Sequence, residues 1–225
     1  MQYKILGSTM PAVEVVLNRG EAMYTQSGAM AWCNGGITMD SNIKGGFMKG
    51  LGRMFSGESL FMATYRAECD NSMVAFSSTV AGEILPVHMT GTAGLICQKN
   101  AFLCAEPGID LSVIFTRKFS AGLFGGEGFI LQRIQGNGVA FLEIDGDKIE
   151  KTLAPGEILK VDTGNVVAFE PTVSYEIEPV TGFKNVFFGG EGLFLTRLTG
   201  PGKVILQTQN FNDFAGRIIA MIPPK

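Results

Sequence analysis

Gly125-Gly126-Glu127-Gly128-Phe129-Ile130-Leu131 returns 64 residues later as Gly189-Gly190-Glu191-Gly192-Leu193-Phe194-Leu195, and this recurrence decides how the chain reads. The match runs on through Gln132-Arg133-Ile134-Gln135-Gly136-Asn137-Gly138-Val139 against Thr196-Arg197-Leu198-Thr199-Gly200-Pro201-Gly202-Lys203-Val204, the second frame one residue longer when the valines are aligned. A fainter copy lies upstream at Ser56-Gly57-Glu58-Ser59-Leu60-Phe61-Met62. A second landmark, Gly-Glu ahead of an apolar run, occurs at Gly20-Glu21, Gly82-Glu83 and Gly156-Glu157, 62 and 74 residues apart. Two landmarks recurring three times in one order predict three copies of a strand-rich module. The expectation is a single all-β domain over 1–225, built of pseudo-repeats at approximately 1–79, 80–152 and 153–225.

Composition bounds the rest. The chain has 225 residues, 46% hydrophobic and 17% charged, enough apolar material for a large core. Its 30 glycines, nearly twice the usual share of about 7% and without a triplet period, read as tight turns. A net charge of −3 and a pI near 5.3 give no clustered basic surplus for a phosphate backbone, so no nucleic-acid partner is expected. Cys33, Cys69, Cys97 and Cys104 form no C-x-x-C pair and have no neighbouring histidines, which argues against zinc. They are expected to be reduced and mostly buried. No apolar run reaches the roughly 18–20 residues of a membrane span, and no secretory segment opens the chain. The expected compartment is the cytoplasm.

Along the chain, Val13–Leu17 and Ala22–Thr25 read as strands flanking a turn at Asn18–Glu21. Asp145-Gly146 between two β-like runs is a type I′ hairpin signal, since both central positions of that turn need positive φ. Gly200-Pro201-Gly202 marks another reversal. Near the C-terminus, Asn212-Asp213 precedes Phe214, Ile218, Met221 and Ile222 at helical spacing, with Pro223-Pro224 beyond. A short helix is predicted there, laying its apolar stripe over an open end of the β core. Between Ile43 and Phe55, Phe47, Leu51 and Phe55 alternate with Lys49 and Arg53 at helical spacing, a pattern that suits membrane-surface or partner contact. Gly45, Gly46, Gly50 and Gly52 each weaken such a helix by about 1 kcal/mol, so a loop is the simpler reading.

Few residues suggest chemistry. His88 is the single histidine, within an alternating run, and reads as a strand residue. No phosphate-cradling pattern occurs. The ligand-binding candidates are Glu58, Glu127 and Glu191, which a threefold arrangement would make equivalent. Converging carboxylates would raise one another's pKa or hold a hard cation; alternatively, each accepts backbone N–H groups at the start of a strand. Arg133 and Arg197 lie six residues beyond their glutamates, where the first copy has Thr64, and are expected to pair with a neighbouring carboxylate. Trp32 and the phenylalanines read as core. No catalytic residue, metal site or cofactor is predicted.

With those residues in hand, the chain resembles the AIM24 family, an uncharacterised group named for a mitochondrial biogenesis factor. The resemblance rests on Tyr3-Lys4-Ile5-Leu6-Gly7, Glu21 to Met30 with Gln26-Ser27-Gly28-Ala29-Met30, Gly57-Glu58-Ser59 and both GGEG strings. Leu153-Ala154-Pro155-Gly156-Glu157 and Val161-Asp162-Thr163-Gly164 complete it. It implies a fold similar to the tryptophan RNA-binding attenuation protein, a short double-stranded β-helix-like module repeated within the chain. It implies no activity, because the family offers no established catalytic or ligand residues to carry over. The functional expectation is a non-enzymatic binding or scaffold protein acting through a homo-oligomer or a protein partner. The alternatives are a small-ligand or metal-binding β-barrel protein with possible enzymatic activity, and a peripheral membrane protein.

Overall fold

A computed structural model describes residues 1–26, 28–40, 62–91, 93–117, 129–179 and 194–222. The chain is almost wholly β among them. The strands are β1 Gln2–Leu6, β2 Ala12–Leu17, β3 Ala22–Gln26, β4 Met30–Cys33, β5 Ile37–Asp40, β6 Met62–Ala67 and β7 Ser72–Ser77. There follow β8 Gly82–Met89, β9 Leu95–Gln98, β10 Phe102–Ala105, β11 Ile109–Arg117, β12 Phe129–Gly136 and β13 Gly138–Asp145. Last come β14 Lys148–Leu153, β15 Ile158–Asp162, β16 Val166–Phe169, β17 Ser174–Pro179, β18 Phe194–Thr199 and β19 Gly202–Gln207, then the helix α1, Phe211–Ala220.

These strands form four antiparallel sheets. Their orders are β1-β2-β7-β4, then β5-β6-β3-β10-β13-β8, then β11-β12-β9-β16-β19-β14, then β15-β18-β17. One pairing scheme accounts for all four. Within β2–β7 the first and third strands pair with the sixth, and the second and fourth with the fifth. The same scheme holds in β8–β13 and in β14–β19. Even the irregularity recurs: the third strand of each set slips register, between Met30 and Trp32, Phe102 and Cys104, and Val166 and Ala168. Each set is thus a sandwich whose chain steps from one sheet to the other, and successive sets join edge to edge where β3 pairs with β10 and β9 with β16.

The cores follow from the layers. Val13, Val15, Phe76 and Phe141 fill the space between the first two sheets. Ile109, Leu111, Leu142 and Val167 fill the middle layer, and Leu131, Phe169, Leu198 and Val204 the last. Alternation along a strand explains how one strand serves two cores. On β3 Met23 faces the first core while Tyr24 faces the second; on β9 Cys97 faces the second and Ile96 the third.

Several expectations require correction. Gly20 and Gly156 sit in the turn between the first and second strands of their sets, at φ of +86° and +78°, where only glycine avoids a steric cost. Gly82-Glu83 instead opens β8, and the matching turn of the middle set holds Gly91 at φ +78°. The glutamate misled: Glu21 and Glu157 each exchange hydrogen bonds with the residue three before them, whereas Gly91 N–H is held by Asn137 Oδ1 at 2.9 Å. Asp145-Gly146 makes no hairpin, because β13 and β14 belong to different sheets and only Gly146 has positive φ (+74°). It links two sets. Gly200-Pro201-Gly202, with a cis peptide bond at Pro201, likewise joins strands of different sheets.

The helix begins earlier than its spacing suggests, because Asn210 supplies the N-cap, its Oδ1 accepting from Asn212 and Asp213 N–H. Its apolar stripe does not cover the core: Phe214, Ile218, Ile219 and Met221 are 47%, 49%, 66% and 81% exposed. Trp32 is not core either, since it stands on the edge strand β4 and is 41% exposed. Of the four cysteines, all free, Cys97 and Cys104 are buried while Cys33 and Cys69 are exposed. Among the described residues no helix is long and apolar enough to cross a membrane.

Candidate functional site

The residues singled out from the sequence for ligand, membrane or partner contact, Glu58, Glu127, Glu191, Phe47, Lys49, Leu51, Arg53 and Phe55, lie outside the described residues, as do both GGEG strings. In sequence, all three glutamates fall between the fourth and fifth strands of their sets. Their arginines are described. Arg197 pairs with Glu176 at 3.2 Å and approaches Glu178 at 3.9 Å. Arg133 keeps a buried Nε that has no hydrogen-bond partner among the described residues. His88 is an exposed residue of β8 whose Nε2 meets the Tyr3 hydroxyl at 3.1 Å. Among the described residues no group of three or more His, Cys, Asp or Glu is placed to hold a metal.

A polar cleft of about 460 Å³ opens where the three sets meet beneath the start of α1, lined by Gln26, Gln98, Glu143, Asp145, Gln207 and Asn210 among others. Glu143, on β13, is buried, and its carboxylate accepts from the backbone N–H groups of Thr79 and Val80 and from the Thr79 hydroxyl. Burial holds its pKa above the ordinary carboxylate value, opposed by those N–H donors and reinforced by the charge of Asp145. Asp145 is raised by burial too, against the donor N–H of Phe211 at 3.3 Å. Gln207 accepts from Asp145 N–H at 3.0 Å and donates to Gly164 O at 2.9 Å. The bonds of Glu143 and Asp145 each tie the middle set to a link, to the last set or to the start of α1, and Gln207–Gly164 holds a turn within the last set. Sequence reading missed Glu143 and Asp145; the signal available was a carboxylate inside the apolar run Val139–Ile144.

The second feature is a pair of open strand edges. At both inner junctions the contact has one pattern: Thr25 lies opposite Cys104 and Tyr24 opposite Ala105, and again Cys97 opposite Ala168 and Ile96 opposite Phe169. The third strand of the first set, β4, and the second strand of the last, β15, are the corresponding positions, and neither has that partner among the described residues. Pairing to the fifth and sixth strands fixes the correspondence. Trp32 lies opposite Ala75 as Cys104 lies opposite Phe141 and Ala168 opposite Ile205. Lys160 lies opposite Arg197 as Tyr24 lies opposite Thr64 and Ile96 opposite Arg133. Cys104 and Ala168 are 0% exposed, against 41% for Trp32. Trp32 Nε1 donates to Glu14 at 3.4 Å, and Lys160 pairs with Glu178 at 2.7 Å.

Residues 3–209 match the family described as "Mitochondrial biogenesis AIM24". A similar protein is "Uncharacterized protein M6_Spy0233" of Streptococcus pyogenes serotype M6, 27% identical over 221 residues that span 95% of this chain and 87% of the relative. Among solved structures, the crystal structure of protein SPYM3_0169 from Streptococcus pyogenes superposes with a TM-score of 0.78 at 24% identity. It covers 98% of this chain and 99% of that one, a likeness of fold.

Proposed function

The chain belongs to the AIM24 family, and we propose that it is a non-enzymatic scaffold of three double-stranded β-helix-like modules that acts by assembling with another protein chain. The observation that carries this reading is the series of junctions: two are made inside the chain by one strand pattern, and the third pair of edges, β4 and β15, is left open among the described residues. A paired edge satisfies backbone N–H and C=O groups that an open one presents to any strand of fitting register. The repeated pairing scheme and the alternation of each set between two sheets support the modular part of the reading. The cleft supports it as well, since Glu143 holds the link between the first two sets and Asp145 the start of α1. Buried thiols at Cys97, raised to about 12 by burial, and Cys104 suit a protein of the reducing cytoplasm.

Light scattering on the eluting protein tests the scaffold reading, with a chain mass of 24.1 kDa as the unit. The expected result is a mass at a multiple of that value, rising with concentration. A single 24.1 kDa species across the whole accessible range, with no protein retained on the immobilised chain, would overturn it.

A further inference from the structure

We propose that the partner at these edges is a second copy of the same chain, added head to tail, with β15 of one copy pairing antiparallel to β4 of the next in the register of the two inner junctions. This rests on the scaffold reading and names its contact. The register follows from the correspondence above: Val161 lies opposite Trp32 of the next copy, and Lys160 opposite its Cys33. Joined in this way, β17-β18-β15 and β4-β7-β2 reproduce the strand order of the two inner sheets, with β1 as an added edge.

The side chains at both ends fit that occupant. Val161 stands where Thr25 and Cys97 stand, both 0% exposed, yet it is only partly buried and packs on the last core. Alternation places Trp32 of the next copy on the same side, over the rim of that core, as Cys104 is placed over the first core and Ala168 over the second. The edge is short and carries one lysine, features that discourage indiscriminate strand addition. Lys160 is the departure from the inner pattern, since Tyr24 and Ile96 are apolar and 7% and 4% exposed. Its ammonium already reaches Glu178 at 2.7 Å, so the stem alone lies along the new contact. An outer junction with a lysine at this position is weaker than the inner two and exchanges between copies.

Cysteine cross-linking tests the register, because directly opposed residues of antiparallel strands have Cα separations of roughly 4.5–5.5 Å, within disulfide range. The full-length chain carries Cys69→Ser and Lys160→Cys and keeps Cys33; it is oxidised with copper–phenanthroline, with Lys151→Cys on β14 as the collision control. The expected result is a ladder of disulfide-linked multimers for the position 160 variant and none for the control. In parallel, emission of Trp32, the chain's one tryptophan, shifts to the blue as concentration rises. Val161→Glu, which sets a carboxylate against that ring, abolishes the shift and returns the mass to one chain. A disulfide formed within single chains overturns the proposal by showing closure on itself. Multimers by mass without a Cys33 cross-link overturn this edge pairing while leaving the scaffold reading intact, and single chains by mass overturn any pairing of copies.

Discussion

Glu143 shows what a single buried carboxylate does in this fold. Its oxygens accept two backbone N–H groups and one hydroxyl, so the side chain acts as a clamp on the link between β7 and β8. Burial nevertheless raises its pKa above the ordinary 4.5. A raised folded-state value means that the favourable contribution of the protonated acid is complete below the ordinary value and is lost as pH rises through the folded one. Glu143→Gln keeps an acceptor oxygen and removes the buried charge. Its denaturation midpoint at pH 7.5 should equal or exceed that of the parent, and the gap should narrow as pH falls toward 4.5. A loss of more than about 1 kcal/mol at pH 7.5, the size of a hydrogen bond, would show that the charge itself holds the link. The residue scale was also where sequence reading was weakest. Gly20 and Gly156 were legible because a Gly-Glu pair ahead of an apolar run marks a turn, but Glu83 copied that pattern at the start of a strand. Composition within two residues does not distinguish a turn held by its own glutamate from one held by Asn137 across the sheet.

At the scale of elements, the strand runs were legible from alternation and glycine punctuation, whereas their partners were not. Asp145-Gly146 reads as a hairpin turn because nothing local reveals that β13 pairs with β8 and β10 while β14 pairs with β19. Helix α1 is the converse case. Its spacing and cap were readable, and its apolar stripe invited a packing role, but periodicity reports which residues share a face and not whether that face is covered. Phe214 is 47% exposed and Phe141 is 0% exposed. Phe214→Ser should therefore change stability by less than about 0.5 kcal/mol, as surface substitutions do. Phe141→Ala should cost roughly 3–5 kcal/mol, the range for a buried aromatic ring. Urea denaturation of the two variants compares them directly. Equal losses would mean that α1 is packed in solution.

On the scale of the whole molecule, the three strand sets are not three independent bodies. The middle core draws Tyr24 from the first set, Leu142 from the second and Val167 from the third, so each set completes its packing with residues of its neighbour. That arrangement leaves a deficit at the two ends, where among the described residues β4 and β15 lack the neighbour that β10 and β9 possess. The recurrence of GGEG points to a repeat in the sequence itself. The edges were not legible there, because an unpaired strand has the same alternating sequence as a paired one. Pairing of these edges between copies is read out by hydrogen exchange at two protein concentrations. Amides of 30–33 and 158–162 are expected to gain protection as concentration rises, while those of β3 and β9 are protected throughout. Fast, concentration-independent exchange along both edges would contradict that pairing.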